Sequence, residues 1–425
     1  MKDLFIINDT TPNKISYYLL ILMILLLPID RIYDEIILIF LVANTLIHPR
    51  KFTRTLFTPQ LLTFLAIYAI AVIGTLYSPN KQQAFFELEK KMGLLLFPLV
   101  LAFNRLDLKK YKLNFLKMMC ISCVITISYL FLDAARTILY LGLPLRSMFS
   151  SQFINQNFSS PIDIHATYLS MYVCFSICIS IYLIVKENNR VLKNVYIFAL
   201  LILIAGLIQL SSRAVVFSLL FIINICIPLI LIKKSQKKIF IITTGLITLS
   251  VFVIFMNIRS YRERYLMDLV ADLSKSGLNI DVIEPRVIRW QSALKLIGKA
   301  PFTGYGNGAE VSVLKEQYFK DRLFDSYLNG LNAHNQYISF LIQEGIAGLL
   351  IYLVVLYTGF AKSVRQKDFN FMCLLVIISV VSFSENILDT NKGVFFFSLF
   401  FTLFLLTNDP EMAEKPNKQP GLSPA

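Results

Sequence analysis

The sequence predicts an all-α polytopic membrane protein, and three observations carry that expectation. Of 425 residues, 56% are hydrophobic and 16% charged, and the mean hydropathy of +0.64 is far above that of a water-soluble chain of this size. The apolar residues form continuous Leu/Ile/Phe runs without strict alternation, which is the patterning of membrane helices and not of a barrel. The net charge of +14 is distributed over short connections between these runs. It therefore reads as membrane orientation and not as a nucleic-acid surface.

At about 20 residues per crossing, about twelve spans follow along the chain. They lie near 16–29, 34–47, 58–77, 89–104, 114–133, 165–185, 193–210, 213–232, 239–256, 337–360, 369–386 and 393–407. Lys2 and Lys14 precede the first run and no small-residue cleavage site follows it, so it reads as an uncleaved span. The first two runs are short, and the fourth opens with Glu89, Lys90 and Lys91, which suits a tilted or partly re-entrant segment. Six cysteines (Cys120, Cys123, Cys174, Cys178, Cys226 and Cys373) fall inside apolar runs and read as small buried hydrophobes. The Cys120-x-x-Cys123 pair lacks the polar surroundings that would stabilise a thiolate.

Alternate connections are basic: Arg50, Lys51 and Arg54; Arg105, Lys109, Lys110 and Lys112; Lys186, Arg190 and Lys193; Lys233, Lys234, Lys237 and Lys238; Lys362, Arg365 and Lys367. The intervening ones carry acids, as in Asp30, Asp34 and Glu35, or Glu385 and Asp389. The positive-inside rule then puts both termini in the cytoplasm. The expected organisation is transmembrane helices over 1–256, a large external loop with short helices over 257–336, three further spans over 337–407, and a Pro/Lys/Glu-rich disordered cytoplasmic tail over 408–425. No internal repeat argues for a transporter built from inverted halves.

The polar stretch Glu284–Gly348 is held between apolar runs and contains most of the candidate residues. Trp290, Ala293, Leu294 and Ile297 recur at helical spacing, so Arg286 and Arg289 stand on a short amphipathic helix that Pro301 ends. Such arginines suit either a solvated, lipid-anchoring face or a diphosphate clamp, since guanidinium forks match phosphate oxygens. Arg213 lies in a very short turn between two apolar runs, where a charge is costly and tends to be kept for function. Gly304-x-Gly306-x-x-Ala309 mimics a dinucleotide fingerprint, but no strand precedes it, so it reads as a tight loop. His334, in N-A-H-N-Q-Y, suits either a structural hydrogen bond or a general base near neutral pH. His165 is a second candidate of the same kind, and His48 sits on the cytoplasmic side. Glu344 falls about two turns into the tenth run; it pairs with an arginine, orients His334 or caps a polar network. The three histidines form no H-x-x-x-H or carboxylate cluster, so no metal site is expected.

Taken together, Arg286-x-x-x-Trp290, the G-x-G turn after A-P-F, His334-Asn335-x-Tyr337 and Gly345-Ile346-x-Gly348 resemble the O-antigen ligase superfamily, and Ser212-Arg213 resembles that family's other arginine position. The resemblance covers roughly 205–350 in motifs and nearly the whole chain in span order. It implies a GT-C-like glycosyltransferase of the bacterial inner membrane, acting at the periplasmic face. The implied reaction moves a glycan from undecaprenyl diphosphate to the lipid A–core of lipopolysaccharide, without metal, nucleotide or other cofactor and without nucleic acid. By that resemblance His334 is the catalytic base and Arg213, Arg286 and Arg289 bind the diphosphate; Asn335, Tyr337 and Trp290 stand in the matching motifs as supporting residues, and Glu344 and His165 are supporting candidates from their own positions. O-antigen polymerases and protein O-oligosaccharyltransferases share the superfamily. A polysaccharide flippase is the rival of another class, and it would need mid-membrane polar residues that these apolar runs lack.

Overall fold

The structure is a computed structural model that describes residues 2–29, 31–50, 58–267, 270 and 284–407, and among these every regular element is a helix. The expected tail 408–425, part of the long loop (268–269 and 271–283) and the basic residues Lys51 and Arg54 lie outside the described residues.

The first half comprises α1 (Thr11–Leu26), α2 (Arg31–Ile47), α3 (Pro59–Tyr77), α4 (Lys81–Lys90), α5 (Gly93–Phe103), α6 (Leu108–Tyr140), α7 (Ala166–Lys186), α8 (Arg190–Leu210), α9 (Arg213–Ile230) and α10 (Lys237–Met256). Then come α11 (Arg286–Lys299), α12 (Glu310–Lys320), α13 (Gln336–Gln343), α14 (Gly345–Gln366), α15 (Phe369–Val381) and α16 (Asn391–Thr407). Six of these, α3, α6, α7, α8, α9 and α14, are long and apolar enough to cross a bilayer by length and composition. That agrees with a polytopic membrane protein. Local chemistry sets the starts: Thr58, Asp107, Asn189 and Asp368 each accept a hydrogen bond from the first turn of the helix they precede.

Two expected spans are reorganised. The fourth, 89–104, is split: α4 ends at Lys90, and α5 has 11 residues, about 16 Å of helix, which is too short to cross the hydrocarbon alone. The tenth, 337–360, is broken between α13 and α14 at Glu344. The loop Pro301–Gly308 fills the break. Tyr305 and Gly306 donate their N–H groups to the carbonyls of Ile342 and Gln343, both at 2.8 Å, and Ile346 donates to Pro301 O at 2.9 Å. Orphan carbonyls at the end of α13 are thereby satisfied by another chain segment. The arrangement needs Gly304 and Gly345, both at φ +64; a Cβ on Gly304 would sit 2.6 Å from the Gln343 carbonyl oxygen, and one on Gly345 would strike the Phe302 backbone.

Contacts between connections tie each end of the bundle together. At one end Lys112 pairs with Asp368 at 2.6 Å, and Arg105 donates to Pro49 O at 2.9 Å. At the other, Lys392 meets the buried Asp34 at 3.6 Å and Asn391 donates to Glu35, so the acidic connections gather together. A main apolar core runs through the bundle, and a second small core of Ala293, Leu296, Leu314, Tyr318, Ala333 and Ile342 holds α11, α12 and α13 together.

Candidate functional site

The site is built where the segment before α13 meets the turn between α15 and α16. Asn335 caps α13, its side chain accepting from the N–H groups of Tyr337 (3.0 Å) and Ile338 (3.2 Å). Tyr337 is a strut whose hydroxyl donates to Ser379 O at 2.8 Å. Backbone and amide bonds then zip 334–336 to the turn: Gln336 N to Ser382 O at 2.8 Å, Asn335 N to Asn386 Oδ1 at 2.8 Å, and Leu388 N to Gln336 Oε1 at 2.7 Å.

His334 sits at the head of this zipper in the left-handed region, φ +46, an uncommon conformation for a non-glycine residue. Three bonds hold it there. His334 N donates to Asn332 Oδ1 at 3.0 Å, Ala333 N to Glu310 Oε1 at 2.9 Å, and Asn335 N to Asn386. The imidazole Nδ1 lies 3.3 Å from Glu385 Oε2, and the His334 side chain is 32% exposed. Arg286, at the start of α11, donates to Ser384 O at 3.0 Å and approaches Glu385 Oε1 at 4.0 Å. Burial pushes the Glu385 carboxyl up, but the hydrogen bond and charge of His334, with the charges of His165 and Arg286, bring it below the usual carboxylate range. It is therefore ionised at neutral pH.

Arg289 faces the other way. It is 4% exposed and donates to Asn332 O at 3.4 Å, while Trp290 Nε1 donates to Ala333 O at 2.8 Å. The expected apolar face with Leu294 is rotated: Leu294 is exposed, and the buried stripe is Arg289, Ser292, Ala293 and Leu296. In the sequence an arginine cannot be told from a solvated charge, so the inward turn of Arg289 was not legible there. In this position it braces the His334 segment from behind through Asn332.

His165 is exposed and caps α7, Nδ1 accepting from Thr167 N at 3.3 Å. Arg213 begins α9 after Ser211 and Ser212, and Ser211 takes φ +47 to close the turn. Links from Asn155 N to Gln209 O (2.9 Å), Ala166 N to Gln156 Oε1 (2.9 Å) and Tyr168 Oη to Asn386 O (3.4 Å) put the Arg213 turn, His165 and the Glu385 turn at one end of the bundle.

Glu344 is not inside a continuous helix, and its partner is a lysine, not an arginine. It occupies the α13–α14 break, 2% exposed, with Lys91 Nζ at 4.0 Å. Lys91, itself 4% exposed, also lies 3.4 Å from Asp389 and donates to Asn307 Oδ1 at 2.9 Å. Next to it, Glu310 accepts from Asn386, Gln343, Ser339 and Ala333. Burial pushes the Glu310 carboxyl up to about 7, the Asp389 carboxylate adding to it and the bonds from Ser339, Ala333 and Asn386 opposing. Glu310, Glu385, Asn386 and Lys91 were missed as site residues in the sequence. The one available signal was the density of polar groups in S-E-N-I-L-D between two apolar runs.

Among the described residues no cluster of three or more His, Cys, Asp or Glu side chains could hold a metal ion. The arrangement can do proton transfer at His334, with the Arg286 guanidinium reaching the same turn through Ser384 and Glu385.

Residues 197–353 match the family described as O-antigen ligase, a segment that runs from α8 into α14 and includes Arg213, Arg286, His334 and Glu344. The match supports placing the chain in the O-antigen ligase superfamily. An uncharacterized protein of Haemophilus influenzae is 26% identical over 178 residues, 38% of this chain and 44% of that protein, so the similarity spans under half of the relative's length.

Proposed function

We propose that this chain of the O-antigen ligase superfamily is a glycosyltransferase that moves a glycan from undecaprenyl diphosphate to the lipid A–core of lipopolysaccharide. In this reading it is a GT-C-like protein of about twelve spans, with cytoplasmic termini and a periplasmic site at the inner membrane. The observation that supports it best is the meeting of His334 and Arg286 at the bundle end that also carries Arg213. An apolar groove of about 310 Å³ lies beneath, lined by Phe221, Cys226, Phe360, Met372, Val376 and Val380. Ser379 also lines it and ties it to Tyr337 above. A π turn over Ile222–Cys226, just before Pro228, shapes its wall. A polyprenyl chain suits such a groove.

The chemistry follows from the residues. The acceptor hydroxyl gives its proton to His334 as its oxygen attacks the anomeric carbon. The bond from that carbon to the diphosphate breaks with the electron pair leaving on phosphate oxygen, and Arg213 and Arg286 hold the charge that develops there. Direct displacement inverts the anomeric carbon. His334→Ala and Arg286→Ala are each expected to abolish transfer by purified protein supplied with lipid-linked glycan and lipid A–core, while both variants remain inserted in the membrane. Wild-type rates in both would refute the mechanism. Transfer to the growing glycan or to exported protein, in place of the core, would assign the polymerase or protein-transferase branch.

A further inference from the structure

We propose that Glu385, in the turn between α15 and α16, is the positioning residue of His334: it fixes the imidazole tautomer and links the base to Arg286. The consequence for catalysis rests on the glycosyl-transfer reading above. The geometry does not, and Glu385 lies outside the segment 197–353 that matches the family.

An ionised carboxylate can only accept, so the 3.3 Å contact between Glu385 Oε2 and His334 Nδ1 requires the proton of the neutral ring to be on Nδ1. Nε2 then bears the lone pair. The same carboxylate presents Oε1 toward Arg286 at 4.0 Å, and the peptide just before it accepts from Arg286 through Ser384 O at 3.0 Å. One short turn therefore sets both the ring and the guanidinium. The turn itself is held by the bonds from Gln336 N and Asn335 N and by the one into Gln336 Oε1, and the Glu385 side chain is only 12% exposed. The charged and titratable groups facing Glu385 are His334, Arg286, His165 and the Tyr168 phenol. When Nε2 takes the acceptor's proton the ring becomes an imidazolium, and the carboxylate on Nδ1–H stabilises it without itself being protonated. Glu385 thereby excludes the tautomer in which Nε2 could only donate.

The chain has three histidines, so ¹⁵N-histidine-labelled protein in lipid nanodiscs gives three imidazoles, assigned with His48→Gln and His165→Gln. At a pH where the ring is neutral, the His334 signal is expected as the Nδ1–H tautomer in the wild type and as a mixture, or the other tautomer, in Glu385→Gln. Transfer by Glu385→Gln should fall on the order of 10²-fold or more, with the acidic limb of the kcat/KM profile moved to lower pH. Glu385→Asp, which keeps the charge, should recover much of the tautomer preference and the position of that limb. An Nε2–H tautomer in the wild type, or an unchanged tautomer and pH profile in Glu385→Gln, overturns the proposal. If the wild type shows no glycosyl transfer but the tautomer still follows residue 385, the functional reading fails and the positioning role stands.

Discussion

Glu310 is the buried carboxylate on which the His334 segment hangs, and its removal should be felt in stability and in pH dependence together. At 3% exposure it accepts from Ala333 N, Asn386 Nδ2, Gln343 Nε2 and Ser339 Oγ. Each buried donor left without an acceptor costs about 1–3 kcal/mol. These groups share one network and some will find water, so Glu310→Ala is expected to cost on the order of 3–5 kcal/mol in total. Glu310→Gln keeps the shape and one acceptor oxygen, and should cost about 1–2 kcal/mol at the acid end of the range, where the wild-type carboxyl is also neutral. The pH dependence follows from the carboxyl being pushed up to about 7 from an ordinary 4.5. A carboxyl whose folded pKa lies above its unfolded one binds its proton more tightly when folded. The stability this confers is complete below about 4.5 and lost as pH rises through about 7, by at most about 3 kcal/mol. Unfolding titrated with SDS in mixed micelles, from pH 4.5 to 8, measures it. The advantage of wild type over Glu310→Gln should shrink as pH rises. An advantage that is flat or grows with pH would refute the burial argument, and a Glu310→Ala variant as stable as wild type would refute the network.

The same unfolding measurement tests two further substitutions. Lys91→Met leaves the buried Glu344 and the part-buried Asp389 without their cation and should cost about 3–5 kcal/mol, part of it recovered in Lys91→Met/Glu344→Gln; a full-cost double variant would show that the pair is not coupled. Gly345→Ala forces a left-handed φ of +64 and a collision with Phe302, costing about 2 kcal/mol or more. Gly298→Ala, which meets nothing within 4 Å in helix α11, should instead gain about 0.5–1 kcal/mol.

What the chain alone determined was the part of the problem that depends on local periodicity and on transfer from water. Long Leu/Ile/Phe runs have no soluble solution, and the helices at Pro59–Tyr77, Ala166–Lys186, Arg190–Leu210 and Arg213–Ile230 fall where those runs predict them. The His334 and Arg286 motifs were likewise visible as polar interruptions, and the pair does converge through Glu385. Tertiary structure alone decided which charges are partnered and by what. Glu344 looked like a residue inside a span because hydropathy averages over a window, whereas its position at a helix break depends on a loop from 301–308 donating to the carbonyls of residues 342 and 343. Arg289 and Arg286 stand one turn apart with the same chemistry, yet the packing of α11 on α13 buries the first and leaves the second at the site. Glu385 reaches His334 across 51 residues of chain. Ion pairing between distant turns is a property of how the helices stack, and no sequence period records it.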